Sequence, residues 1–443
     1  MSAQLLALAV LACAVCYGAV RVAARNSTRA RVGLLLILSV AVIPTAASSI
    51  LGADMSPDPA ALLSLGLMSA AALEAVLSVL DRERRSSGAG LLGSLGWALL
   101  VMWFAGLLTG VAADALPTWG AAMPVLGILL CWQLRPSLAD LTWSADRLFV
   151  ATSWMTLALA PTGILSQVRW LAELNYVAPS RLIDLSWLGL PGRWAGPFPH
   201  PNNLGLFAAV AVTYALWRGG RLRWWVGLPS LALLLMSGSF GALAALVAGA
   251  ATLFVFRRAS GITRRSFSAA VVVATTAAFL VWLNASSTAG IVTLTGRTTF
   301  WGLYWEYIQQ KPLLGWGPDA GRYLVSIGVL PYPASQAHNL LLNTLFISGL
   351  LGLVCTGVCL VLMLLRSLSA ARTGLTLPLA LLAVLGVTSV TETPFNYLSF
   401  NVAWAILLIV WVSVSSGRAT DQACINVDRH SHQAPGLTSG NPA

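Results

Sequence analysis

Apolar runs of about twenty residues, separated by short polar connections, repeat along the whole chain. A helix of that length crosses the roughly 30 Å hydrocarbon layer of a bilayer. Within lipid every backbone polar group must be bonded internally, which leaves only helices or a closed barrel. The runs are too long and too evenly apolar for the alternating strands of about ten residues that build a barrel. Charge agrees: only 9% of the 443 residues are charged and 57% are hydrophobic, whereas soluble domains carry about 25% charge. The composition excludes a soluble enzyme and predicts an all-α polytopic membrane protein.

Candidate spans cover 3–20, 32–51, 60–80, 89–112, 119–134, 147–166, 203–217, 224–238, 241–256, 267–283, 339–365, 374–390 and 400–416. The count is 12–13, since some are short enough to be half-buried. They divide the chain into N-terminal transmembrane helices (1–166), an outer loop (167–202), middle helices (203–283), a large outer loop (284–338), C-terminal helices (339–416) and a disordered cytoplasmic tail (417–443). Cysteine gives no framework. Cys13, Cys16, Cys131, Cys355 and Cys359 lie in apolar runs and read as small apolar filler, and Cys424 lies in the tail. The N-terminus has no basic segment before its first apolar run, so no cleavable signal peptide is expected.

Basic residues orient the bundle. The chain holds 26 of them, and Lys311 is its one lysine. With the connection of Arg21, Arg25, Arg29 and Arg31 taken as cytoplasmic, all but six basic residues fall inside. The six outside are Arg169, Arg181, Arg193, Arg297, Lys311 and Arg322, and all lie in the two long outer loops. A net charge of +11 in a soluble protein would point to nucleic acid. Here it reports cytoplasmic loops, and no nucleic-acid partner is expected.

Chemistry is sought in the outer loops, where binding and catalytic groups concentrate. The first ends in Gly192-Arg193-Trp194-Ala195-Gly196-Pro197-Phe198-Pro199-His200-Pro201-Asn202-Asn203. Asn202 or Asn203 is a candidate N-cap that leaves outward-facing amides, and Arg193 beside them makes a candidate anion site. His200, between prolines, reads as packed or capping. In the second loop, Phe300, Trp301, Tyr304, Trp305 and Ile308 form one helical stripe ending before Pro312, expected to lie along the membrane interface with Arg297 at its start. His338 stands at the mouth of the next span, where an imidazole can act as a base near neutral pH.

The missing features also matter. The outer loops show no acid–histidine cluster with metal spacing and no phosphate loop of the nucleotide-binding kind. The spans hold almost no ionisable residue apart from Glu74, which reads as structural or interfacial. An ion-coupled transporter would need more intramembrane charge.

The stretch from Gly296-Arg297, through Lys311-Pro312-Leu313 and Gly315-Trp316-Gly317, to His338-Asn339 and then Gly349 and Gly352, resembles the signature of the O-antigen ligase and polymerase-like superfamily. Arg193, Gly196 and Pro201-Asn202 upstream resemble that family's arginine and Pro-Asn motif. The resemblance covers roughly 190–355. It implies a GT-C-type bundle in the cytoplasmic (inner) membrane of a bacterium. Such proteins transfer a glycan from a polyprenyl-diphosphate carrier to an acceptor hydroxyl on a glycan, lipid or protein, on the outer face. Neither nucleotide sugar, metal nor other cofactor is implied.

By position, the resemblance makes Arg193 and Arg297 holders of the diphosphate and His338 the group that activates the acceptor hydroxyl. Arg322, Lys311, Arg181, His200, Asn339 and Trp316 are candidate substrate-binding residues. Family members carry Ser-Arg-Gly at the outer end of a middle span. This chain has Ser237-Gly238-Ser239-Phe240-Gly241, so that anion contact is absent or supplied by Arg181 or Arg322. Two other readings compete. A transporter or flippase for a glycolipid or small anion would show paired polar residues deep in the spans or helices broken at mid-membrane. A non-catalytic assembly subunit would tolerate changes in the outer loops.

Overall fold

The structure is a computed structural model. It describes residues 31, 33–35, 38, 94–112, 123–134, 136–159, 193–196, 198, 200–258, 297–318, 320–330, 336–394 and 401–431, leaving out some side chains within the helices. The expected spans at 3–20, 60–80 and 267–283, most of that at 32–51, Glu74 and Arg181 lie outside the described residues.

Every regular element among the described residues is a helix: α1 (Ser94–Ala112), α2 (Met123–Leu134), α3 (Leu138–Leu159), α4 (Pro201–Arg218), α5 (Leu222–Trp225), α6 (Gly227–Ser237), α7 (Phe240–Arg258), α8 (Arg297–Gln310), α9 (Ala320–Ser326), α10 (Leu340–Arg372), α11 (Leu377–Thr391) and α12 (Val402–Ser431). Nine of the expected spans coincide with helices in this set. Two helices, Phe240–Arg257 and Leu340–Arg372, are long and apolar enough to cross a membrane.

The differences from expectation have local causes. The span expected from 147 starts at Leu138. Ser137 and Asp140 form a reciprocal capping box there: Asp140 N donates to Ser137 Oγ at 3.1 Å and Ser137 N to Asp140 Oδ2 at 3.1 Å. The run at 224–238 divides at Val226 into α5 and α6. At the far end α12 continues to Ser431, into the segment expected to be a disordered tail. No proline occurs between 402 and 431 to stop it.

α4 is central. All its residues from Leu204 to Ala215 are buried, and it packs against α6, α7 and α11. α10 shows which surface faces lipid. Beyond Gly349 its buried positions hold Gly352, Thr356, Cys359, Met363, Ser367 and Ala371. Its exposed large residues are Leu350, Leu351, Val354, Val358, Val361, Leu364 and Leu365. Mostly small or polar groups inside, Met363 apart, with leucine and valine outside is the reverse of a water-soluble helix, and it suits packing within a bilayer.

α10 is also broken. Gly349 has φ 59° and ψ −160°, and the helix turns there. A straight helix of 33 residues would be about 50 Å long. Yet both ends of α10 meet the ends of α11, whose 15 residues span about 22 Å. Asn339 Nδ2 bonds Val390 O at 3.2 Å, and Arg372 joins Leu377 through a tight turn. The segment before Gly349 must therefore run across the one after it. The later segment, 350–372, is still about 34 Å long, enough to span the bilayer alone.

The turn after α8 fills the break. Trp316 N donates to Phe346 O at 2.8 Å and Gly317 N to Ile347 O at 2.9 Å, while Leu350 N donates to Pro312 O at 2.8 Å and Leu351 N to Leu313 O at 3.2 Å. Backbone groups freed by the break are thus bonded to the loop. The close approach needs two glycines. A Cβ on Gly315 would lie 2.5 Å from Ile347 C and O, and one on Gly349 would lie 2.3 Å from Leu313 C and O. The Lys-Pro-Leu-Leu-Gly-Trp-Gly motif and the glycines of α10 are therefore the two halves of one joint.

Candidate active site

Three helix ends converge beside this joint: the starts of α4 and α10 and the end of α11. Pro201 takes the first helical position of α4, where its missing N–H costs nothing. The N-cap is His200, in place of the expected Asn202 or Asn203, and its Nδ1 accepts from Asn202 N at 3.1 Å. The capping role expected for His200 holds.

The Asn202 side chain is then turned inward and is 8% exposed. Its Oδ1 accepts from Arg193 Nη2, and its Nδ2 donates to Glu392 Oε1. A cation on one side and a carboxylate on the other fix the orientation of the amide. The other carboxylate oxygen, Glu392 Oε2, lies 3.1 Å from His338 Nδ1. Arg193, Asn202, Glu392 and His338 form one continuous polar chain.

Each member is fixed by its own element. Arg193 Nε donates to Ser237 O at 2.9 Å, and Trp194 N to Met236 O at 3.0 Å. Gly238, in the left-handed region at φ 57°, brings the end of α6 against the arginine: a Cβ there would sit 3.0 Å from Arg193 Cγ. The turn that carries Phe240 where an arginine was expected thus cradles Arg193, and Phe240 itself is 51% exposed.

His338 is the one non-glycine residue among those described with positive φ, at 48°. Such a backbone persists only where its surroundings over-determine it. Trp301 Nε1 donates to Ala337 O at 2.8 Å and Ala337 N to Asn343 Oδ1 at 3.4 Å. On the other side Asn339 caps α10, its Oδ1 accepting from Leu342 N at 3.1 Å.

Glu392 caps the C-terminus of α11, where the helix dipole disfavours a carboxylate. Arg193, acting through Asn202, and His338 supply the compensating groups. The amide-bearing starts of α4 and α10 add positive potential to the same place.

The expected site residues fall into three groups. Arg193, His200, His338 and Asn339 come together. Arg297 begins α8, one turn before Trp301, which brings the backbone of its helix toward 337–338; its side chain lies outside the described residues. Arg322 lies on α9, and its side chain too lies outside them. Lys311 and Trp316 belong to the joint. Lys311 Nζ stands 4.2 Å from the Trp316 ring centre, and Trp316 Nε1 donates to Tyr307 O at 2.8 Å.

The α8 stripe does not simply rest on the interface. Tyr304 and Ile308 are buried, and Tyr304 meets Phe346 of α10 edge-on at 4.7 Å. Burial raises the Tyr304 phenol pKa above its ordinary value. Trp305 remains 49% exposed.

Glu392 is the group the sequence reading passed over. In the sequence it is one acid after a span, and its one signal is a carboxylate placed directly at a helix end. Among the described residues no group of three His, Cys, Asp or Glu side chains could hold a metal ion.

The described residues thus form a helical bundle with a cation–amide–carboxylate–imidazole chain at the ends of three helices. Residues 203–357 match the family model described as O-antigen ligase, which supports the resemblance read from the motifs over that part of the chain. That family is one of membrane proteins with ligase or glycosyltransferase-like activity. No curated protein matches the chain.

Proposed function

We propose that this chain is a membrane glycosyltransferase that moves a glycan from a polyprenyl-diphosphate carrier to an acceptor hydroxyl at the outer face of the cytoplasmic membrane. The observation that carries this reading is the His338–Glu392 pair, joined through Asn202 to Arg193.

With Nδ1–H donated to Glu392, neutral His338 carries its lone pair on Nε2. Nε2 takes the acceptor's hydroxyl proton as that oxygen bonds to the anomeric carbon. The bond from that carbon to the diphosphate oxygen breaks, and the electron pair leaves with the polyprenyl diphosphate. Arg193 and Arg297 hold the departing charge, a task suited to forked guanidinium donors. Glu392 and Asn202 are positioning residues: one sets the tautomer and pose of His338, the other ties it to Arg193.

The break in α10 is the feature a transporter reading asks for. Here its freed backbone groups are bonded by loop 312–317, which favours the enzyme.

The test is transfer in membranes supplied with lipid-linked donor. Arg193→Ala, Arg297→Ala and His338→Ala should each lower transfer by about 10²-fold or more. Unchanged transfer in both Arg297→Ala and His338→Ala sinks the reading.

A further inference from the structure

The opposite end of the bundle carries a second graded surface. α4 starts at the His338 cluster and ends at Arg218. Arginines at that end divide into two sets. Arg31 pairs with Asp140 at 2.9 Å and Arg218 with Asp146 at 3.5 Å. Arg257 donates to Leu216 O and Trp217 O at 3.1 and 2.7 Å, closing the carbonyl end of α4. Those three are used by the fold.

Arg147, Arg221 and Arg223 are exposed and pair with no carboxylate among the described residues. Arg147 lies over the Trp143 ring at 3.6 Å. Beside these cations stand Trp224, Trp225 and Trp154, with 60%, 58% and 42% of their surface exposed. Trp154 Nε1 donates to Trp225 O at 2.9 Å, and the two rings are 5.9 Å apart. Farther along, Ser153 and Ser230 bond at 2.8 Å and stitch α3 to α6, and the exposed residues become Met155, Leu228 and Leu231.

The order along this face is guanidinium, indole, aliphatic. On α3, Trp143, Arg147 and Trp154 share one side by their helical spacing. A phospholipid presents the same order as phosphate, ester region and acyl chain. The indoles suit the middle layer, and cations without a carboxylate partner select a negative headgroup. A zwitterionic lipid would leave three cations facing its own ammonium.

We infer that the α3–α5–α6 face binds an anionic phospholipid of the adjacent leaflet. Arg147, Arg221 and Arg223 take its phosphate, and its acyl chains lie along Trp154, Trp225 and Leu228. This site is independent of the His338 chemistry.

The test uses the full chain in phosphatidylcholine nanodiscs and brominated acyl chains, which quench nearby tryptophan. The signal of this face is the difference between the wild type and Trp154→Phe/Trp225→Phe. Brominated phosphatidylglycerol should half-quench that signal at about tenfold lower mole fraction than brominated phosphatidylcholine, on the order expected for several cations near a headgroup. The preference should vanish in Arg147→Gln/Arg221→Gln/Arg223→Gln and persist in Arg257→Gln. In the wild type it should shrink as salt is raised from about 0.1 M to 1 M, a measurement that needs no variant to fold. Equal quenching by the two lipids overturns the inference, as does a preference that survives the triple change or ignores salt. Equal competition by acyl-free glycerophosphoglycerol would make the site one for a free phosphate ester and overturn it as well.

Discussion

Replacing Gly349 by alanine puts a methyl carbon 2.3 Å from the carbonyl carbon and oxygen of Leu313 and 2.6 Å from Leu314 N. These are backbone atoms, so no side-chain rotation relieves the contact. The backbone angles at Gly349, φ 59° and ψ −160°, cost a residue with a Cβ about 1–3 kcal/mol. The cheapest response is for loop 312–317 to withdraw from the break. That forfeits the four main-chain hydrogen bonds of the joint, each worth about 1 kcal/mol net. The total is ~5–7 kcal/mol, comparable with the stability of many whole domains.

Hydrogen exchange of the amides of Trp316, Gly317, Leu350 and Leu351 reads the event directly. In Gly349→Ala their exchange should rise by about 10³-fold or more, since each 1.4 kcal/mol is a factor of ten. Glycan transfer should fall with it, because the joint links α8 to the segment that starts at His338. Gly357→Ala on the same helix is the control. A Cβ there meets nothing within 4 Å, so that change should be neutral or stabilise α10 by up to about 1 kcal/mol. If Gly349→Ala kept wild-type protection at these four amides and an unchanged melting temperature, the account of the joint would be wrong.

Glu392→Gln should lower kcat for transfer by roughly 10–100-fold with little change in donor KM, because it perturbs the pose of His338 and not the diphosphate contact. A KM effect without a kcat effect would contradict that assignment. Asn202→Leu leaves Arg193 and Glu392 facing an apolar side chain and should destabilise the chain by about 1–3 kcal/mol, read as a lower melting temperature in detergent; Asn202→Gln should lose less. Trp301→Phe removes the bond to Ala337 O and should reduce transfer by a few-fold while donor binding is retained. A wild-type rate in Trp301→Phe would show that the positive-φ backbone at His338 is held without it.

Run lengths alone placed nine of the described helices, because a bilayer enforces both length and composition. Boundaries failed where local chemistry overrode hydropathy, as in the Ser137–Asp140 capping box, whose spacing was visible in the chain. Arg193 and His338 stand out in the sequence because each departs from a background: an arginine expected outside against the inward bias, and a histidine at the mouth of an expected span. Glu392 had no such contrast. Its partners His338 and Asn202 are 54 and 190 residues away in the chain, brought to it only by the packing of α4, α10 and α11. The glycines of the joint were visible as letters of a motif. Their reason, one backbone inserted into the gap of another, exists only in three dimensions.

The Asn202 amide has a direction: its oxygen end meets a cation and its nitrogen end meets a carboxylate. Positions 193, 202 and 392 are therefore matched in polarity as well as in place. Aspartate at 202 would suit Arg193 and repel Glu392, lysine would do the reverse, and leucine would serve neither. An exchange of charge between 193 and 392 would suit a half-turned amide, but it would take the carboxylate from His338 and the guanidinium from Ser237 O. Over descent the three positions should change together or not at all. Relatives that keep the cation at 193 and the carboxylate at 392 are expected to keep an amide between them, a pattern that comparison of such sequences would expose.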